Sequence, residues 1–411
     1  MRFIKLFAAT LAGVTSASLG AQTLTLDEAR RLARDNQPAI SALELTARAA
    51  QESAVADGAL PDPRVKFSAL NFPTQGFPGA REDMTQTGIS WEQSFPGGDK
   101  RRLRTERTQA EAAQARAESH SLMQAIERDV GLAWTDAWLA IGAERLVVGL
   151  ASEYQRGVEL ARIGVASGKG SSADILAARQ MANQTLDRRL ELASQAARAR
   201  AALARWIPDG ASRPLPESLP ELPPPPPFGA LLDGLEAHPQ HEMNLAAQTL
   251  ADAEVALARE ASKPDRTVEV GYFARTGGRS DMVMFQLALE LPVFGARKQD
   301  RSVDAKLKLA DRARDQRSDH LRQLRADVQA TYADWTLAGE RLRNISGAIV
   351  PDARSRLDAV AAQHGAATAP LAAVFEARRA LIDARIQELG QHAAQLRARI
   401  ALQYFERGGQ P

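Results

Sequence analysis

The chain has 411 residues, with 52 basic and 50 acidic side chains and a formal charge of +2. Acids and bases interleave as they do on solvated helix faces, so nothing in the charge points to nucleic acid. Cysteine is absent, which excludes disulfides, thiolate catalysis, cysteine-ligated metals and a lipid anchor on an N-terminal cysteine.

Arg2 and Lys5, an apolar run from Leu6 to Leu19 and the small residues Ser18, Gly20 and Ala21 read as a secretory signal peptide over residues 1–21. No later stretch offers about 18 consecutive apolar residues, so the exported chain is expected to have no helical membrane anchor.

Residues 22–207 form a first repeat. A short amphipathic helix, Leu24 to Asn36, precedes a helix that Pro38 opens and that runs to about Gly58; proline suits the first helical turn and breaks what comes before it. Strands follow near 64–72 and 85–95. There Val65, Phe67, Ala69 and then Ile89, Trp91, Phe95 recur at period two, opposite Gly88, Ser90, Glu92 and Ser94, the mark of a strand with one apolar and one polar face. Phe95-Pro96-Gly97-Gly98 then opens a long helical hairpin over 100–206. Its first arm, Lys100 to about Ile163, carries a narrow seam at Ile126, Val130, Trp134, Ala137 and Ile141. A glycine break, Gly164 to Gly170, leads to a second arm containing Ile175-Leu176-Ala177-Ala178-Arg179.

The Pro-rich stretch 208–227 reads as a stiff extended linker without chemistry of its own. Residues 228–407 then repeat the order: a helix from Phe228 to Ala237, Pro239 opening a helix to about Ser262, and strands near 266–275 and 282–292. Val268, Val270, Tyr272 and Val283, Phe285, Leu287, Leu289, Leu291 form the apolar face there. Leu291-Pro292-Val293-Phe294-Gly295 opens a second long hairpin over 297–406, whose first arm spans Arg297 to about Gln363 and whose break runs from His364 to Pro370. Val374-Phe375-Glu376-Ala377-Arg378 matches the motif of the first return arm. Asp129-Val130 with Trp134 and Trp138 recurs as Asp327-Val328 with Tyr332 and Trp335, and helical bias alone cannot place proline, hairpin, Pro/Gly turn, aromatic cluster and glycine break in the same order twice.

Strands of this length, with one apolar face, fit a tilted bilayer crossing of roughly 9 to 11 residues, and the soluble alternative is a hairpin packed on helices. Four strands cannot close a barrel, and open edges in lipid leave backbone groups unpaired, so other copies must complete it. Three copies give twelve strands and a lumen. The long arms, at 1.5 Å per residue, would each span roughly 90 Å.

This order resembles the outer-membrane efflux protein family, the TolC-type outer-membrane factors, over essentially the whole exported chain. The Leu60-Pro61-Asp62-Pro63 turn and Phe95-Pro96-Gly97-Gly98 look most like the branch serving heavy-metal cation pumps. The resemblance implies a mainly α fold with a small β-barrel part and two tandem repeats. Its trimer forms a 12-stranded barrel in the outer membrane and an α-helical tunnel in the periplasm. It also implies a passive exit duct that is not an enzyme and holds no cofactor or resident metal. Its partners are a periplasmic adaptor, an inner-membrane pump of the RND type and outer-membrane lipid. Drug or small-molecule efflux and type I secretion are the alternatives within the family, and a trimeric coiled-coil surface protein the alternative outside it.

By the same resemblance the two breaks are adaptor-docking tips, at Gly164, Gly168 and Gly365, and Glu376 rings the constriction with Asp174 as a further contributor. Ala373 stands where relatives commonly carry an aspartate. The histidines are scattered, and His238 with His241 is expected to be a solvated pair at a helix start rather than a metal site.

Overall fold

The computed structural model describes residues 23–35, 37–75, 82–168, 170–366 and 368–406. The signal peptide expected over 1–21 lies outside the described residues, as do Asn36 and residue 407 at the expected ends of the first helix and the second repeat.

In chain order the elements are α1 (Leu26–Asp35), α2 (Pro38–Gly58), β1 (Arg64–Leu70), β2 (Gln86–Phe95), α3 (Lys100–Ala166), α4 (Ser172–Ala204), α5 (Phe228–Asp233), α6 (Pro239–Glu260), β3 (Arg266–Arg275), β4 (Met282–Leu289), α7 (Gln299–Asn344), α8 (Val350–Gly365) and α9 (Leu371–Glu406). Helix, helix, hairpin and long helical hairpin thus occur twice. Pro38 and Pro239 occupy the first turn of α2 and α6. The strands pair antiparallel in the order β1-β2-β3-β4, leaving β1 and β4 as edges.

The second long arm is not a regular α-helix throughout. Ile345–Ile349 form a π turn in which the Val350 N–H reaches back to Ile345 O, and Pro351 then sits in the first turn of α8. Proline has no N–H to give the carbonyl four residues back, and its ring strikes that carbonyl in a regular helix. The wider turn relieves both conflicts, so the long helix expected from Arg297 to about Gln363 runs as continuous helical backbone over Gln299–Gly365 with one π bulge in it.

By contacts the chain divides into two compact units, each drawing on both repeats. One comprises residues up to Asp35, Val130–Leu222 and Glu340–Ala394; the other comprises Asn36–Asp129, Pro223–Gly339 and the chain from Gln395.

In the first unit, Leu150, Tyr154, Val158 and Ala161 of α3 pack with Ala178 and Ala182 of α4 and Phe375 of α9. Tyr154 is fully buried; its hydroxyl donates to Phe375 O at 2.7 Å, and the two rings meet edge to face with centroids 4.9 Å apart. Burial pushes the Tyr154 hydroxyl up to about 12. The stretch between the repeats is pinned here rather than free. Pro214 O accepts from Leu24 N, Pro216 O accepts from the Trp138 indole, and Arg213 forks onto Glu28.

In the second unit, Leu231 and Leu235 pack with Leu324 and Val328 of α7 and Leu402, Tyr404 and Phe405 of α9. His238 is fully buried in the same region, contrary to the solvated pair expected. Its Nδ1 accepts from Gln240 N, capping α6, while Nε2 faces Tyr404 O at 3.1 Å. Burial pushes this imidazole down to about 4, against the pull of the Tyr404 carbonyl. A cap that must stay an acceptor is therefore neutral at ordinary pH.

Candidate functional site

The strand register aligns the apolar side chains in rows across all four strands. One row is Val65, Trp91, Val270 and Phe285, and the next is Phe67, Ile89, Tyr272 and Val283. These residues are exposed, from 42% at Val270 to 83% at Phe67. A monomeric water-soluble surface rarely carries an apolar face of this extent.

The opposite face is polar and internally satisfied. Lys66 pairs with Glu92 and lies 2.9 Å from Glu269, whose other oxygen accepts from Ser90 Oγ at 2.5 Å. Phe273, buried on this face, lies over Gly88 and Gly271; a Cβ at Gly88 would come within 2.4 Å of both its ring and the Tyr272 carbonyl. One face for lipid and one for water is the alternation of a membrane barrel strand. No described helix is long and apolar enough to cross a membrane.

Where β2 becomes α3, the chain is strapped to the turn before β3. Gly97 N donates to Asp265 Oδ1, Asp99 N donates to Glu260 Oε1, and the Lys100 ammonium donates to Lys263 O and Asp265 Oδ1, all at 2.6 to 2.7 Å. Burial pushes the Asp265 carboxyl up, but these partners hold it below its usual range. Gly98 has φ +59. The matching turn after β4 is looser: Gly295 has open space around it, and Leu291, Val293 and Phe294 are exposed.

The helix reversals differ from each other. At the first, α3 contains Gly164 and ends at Ala166; Gly168 follows at φ +72, a region that side-chain-bearing residues rarely adopt. Gly170 approaches the Gly164 carbonyl carbon so closely that a Cβ would lie 3.2 Å away. Ser171 then caps α4, its hydroxyl accepting from Asp174 N while Asp174 Oδ2 accepts from Ser171 N at 2.8 Å. These Ser171 donors, the backbone N–H first, hold the Asp174 carboxyl below its usual range. Asp174 is thus a helix-capping carboxylate.

At the second reversal Gly365 is the last residue of α8, its φ is not positive, and a Cβ there meets open space. Gly365 therefore supplies no left-handed backbone to this reversal. Side-chain bonds close this turn instead: Thr368 Oγ1 donates to Gln363 O, and His364 Nδ1 bonds Ala369 O, both at 2.9 Å. Glu376 is exposed on α9, beside the buried Phe375, and makes no hydrogen bond or ion pair among the described residues. Arg378, two residues on, pairs with Glu153 of α3.

The two-faced sheet and the repeated hairpins have counterparts among known proteins. Residues 29–207 match the model of the outer membrane efflux protein family. Over this segment, less than half of its length, the chain is similar to that family. Among curated proteins none matches the chain significantly. Among solved structures, the outer membrane protein VceC from Vibrio cholerae is similar at 17% identity and a TM-score of 0.77, covering 93% of this chain and 96% of that one. CusC is similar at 15% identity and 0.77, covering 94% and 93%. The Campylobacter jejuni CmeC outer membrane channel reaches 0.79 at 13% identity, covering 93% and 86%. Both repeats therefore share the fold of outer-membrane channels.

Proposed function

We propose that three copies of this efflux-family chain form a passive exit duct of a tripartite export system. A periplasmic adaptor meets the helix tips, and an inner-membrane pump, of the RND type, supplies the cargo. The observation that carries this reading is the four-stranded sheet with one exposed apolar face and two unpaired edges. In lipid each unpaired backbone group costs several kcal/mol, and three sheets joined edge to edge give twelve strands, enough for a water-filled lumen. The Leu60-Pro61-Asp62-Pro63 and Phe95-Pro96-Gly97-Gly98 turns favour heavy-metal cations as cargo. The tips at Gly164, Gly168 and Gly365 dock the adaptor, Gly168 being the one whose backbone requires glycine.

Glu376, exposed and unpaired, is the stronger constriction residue, and Asp174, engaged in its cap, the weaker. Three Glu376 carboxylates in a narrow aqueous throat attract cations. Planar-bilayer conductance tests the duct and the ring together. The purified protein should insert as a cation-selective pore blocked by divalent cations. Glu376→Ala should lower both selectivity and block, and Ala373→Asp should deepen the block. A protein that adds no conductance contradicts the duct; a pore whose selectivity and block survive Glu376→Ala contradicts the ring.

A further inference from the structure

At the foot of the sheet an open groove of about 480 Å³ lies between the start of α3, the end of α6 and the start of α7. Lys100, Arg104, Arg107 and Lys306 line it, with Glu254, Ser302 and the apolar side chains of Leu257, Ala258 and Ala261. Glu254 is shared, 2.8 Å from Lys306 and 4.0 Å from Arg107. Lys100 is held by Asp265 at 2.7 Å. Arg104 is exposed and has no carboxylate within 4 Å among the described residues. Arg107 also pairs with Glu111 at 3.3 Å, so four cations face three carboxylates, Glu254, Asp265 and Glu111, which leaves one positive charge, that of Arg104, beside a groove with an apolar wall.

Its place in the chain narrows the ligand. Lys100 follows the last residue of β2 by five positions, and its ammonium is anchored to Lys263 and Asp265, just before β3 begins at Arg266. The groove therefore lies where the apolar face of the sheet ends. That is the level at which a bilayer presents its phosphates, and basic pockets at such a level recognise headgroups.

We propose that this groove is a phosphate site. Arg104 and Lys306 contribute charge, Ser302 contributes a hydroxyl donor, and the wall of Leu257, Ala258 and Ala261 accommodates the glycerol end of a phospholipid. Arginine suits this role because its planar fork matches phosphate oxygens in pairs. A lipid as the source rests on the membrane reading of the sheet; phosphate recognition itself does not.

The test uses the full exported chain in a non-ionic detergent, in two arms. Native mass spectrometry after addition of phosphatidylglycerol reads the lipid, with diacylglycerol, which lacks the phosphate, as control. Phosphorus NMR line broadening of inorganic phosphate reads the free ion. Each basic charge at a membrane surface contributes about fivefold in binding, so Arg104→Glu, a change of two charges, should lower occupancy about 25-fold. Arg104→Gln, the milder change, should lower it about fivefold. Phosphatidylglycerol retained by the wild type and lowered in both variants, more by Arg104→Glu than by Arg104→Gln, establishes the lipid headgroup. Broadening of inorganic phosphate alone, reduced by the same variants, establishes a free-phosphate site. Equal binding by wild type and variants in both arms overturns the proposal. Failure of the protein to partition into outer membranes would count against the duct and leave the inorganic-phosphate arm readable.

Discussion

Val270→Arg is expected to prevent assembly in the outer membrane. Val270 lies in the row Val65, Trp91, Val270, Phe285, with further apolar residues on either side along the strands, so it sits well inside the apolar band. A lipid-facing arginine at the midplane of a barrel costs about 2–4 kcal/mol, falling to about 0–1 near the interfaces. Three copies triple the penalty in one assembly. Gln286→Arg is the matched control, since Gln286 lies on the polar face directly opposite Glu269. Folded protein in outer-membrane fractions, read on unheated gels, should collapse for Val270→Arg and stay near wild type for Gln286→Arg. Equal levels for both would mean that the apolar face does not meet lipid.

Gly97→Val is expected to be nearly as damaging, for a different reason. A Cβ at Gly97 would stand 2.0 Å from the Pro264 carbonyl oxygen and 2.8 Å from its carbon. Both are backbone atoms, so no rotamer change relieves the contact, and the strap around Asp265 must open. Overpacking of this kind costs about 3 kcal/mol, and the Gly97-to-Asp265 and Lys100-to-Asp265 bonds weaken with it. Gly295, at the equivalent turn of the second repeat, has open space around it. Gly295→Val should therefore lower the urea midpoint of detergent-solubilised protein far less than Gly97→Val. Equal shifts would show that the strap carries no stability.

The architecture was legible wherever a residue type has one dominant physical consequence. Pro38 and Pro239 open helices because proline fits only the first turn, and the period-two rows became real rows because each strand has two unlike faces. What the sequence concealed depends on neighbours. Pro351 signalled trouble inside a helix, but a break, a kink and a π turn all answer that signal, and only the local chain selects among them. His238 looked solvated because two histidines and a glutamate follow one another near a helix start; the Tyr404 carbonyl that buries it comes from 166 residues away. Gly365 and Gly168 look alike in sequence, yet only Gly168 takes a left-handed backbone. The bonds of Thr368 and His364 turn the chain at the other reversal. The Asp174 cap is signalled in the sequence by Ser171 three residues earlier, the spacing of a capping box.

Disulfide trapping between the two edge strands tests the central claim most directly. The natural chain has no cysteine, so every thiol is an introduced one. Within one chain β1 and β4 lie three strand spacings apart, about 14 Å, well beyond the reach of a disulfide. Any bond between them therefore joins two copies. Phe67→Cys on β1 is combined in turn with Val283→Cys, Phe285→Cys or Leu287→Cys on β4, and outer membranes are oxidised mildly. At least one combination should give a covalent species of three chains, reverting to monomer on reduction. A ladder that stops at two chains would mean an eight-stranded closure. Monomers alone in every combination, from protein properly inserted in the outer membrane, would contradict edge-to-edge completion altogether.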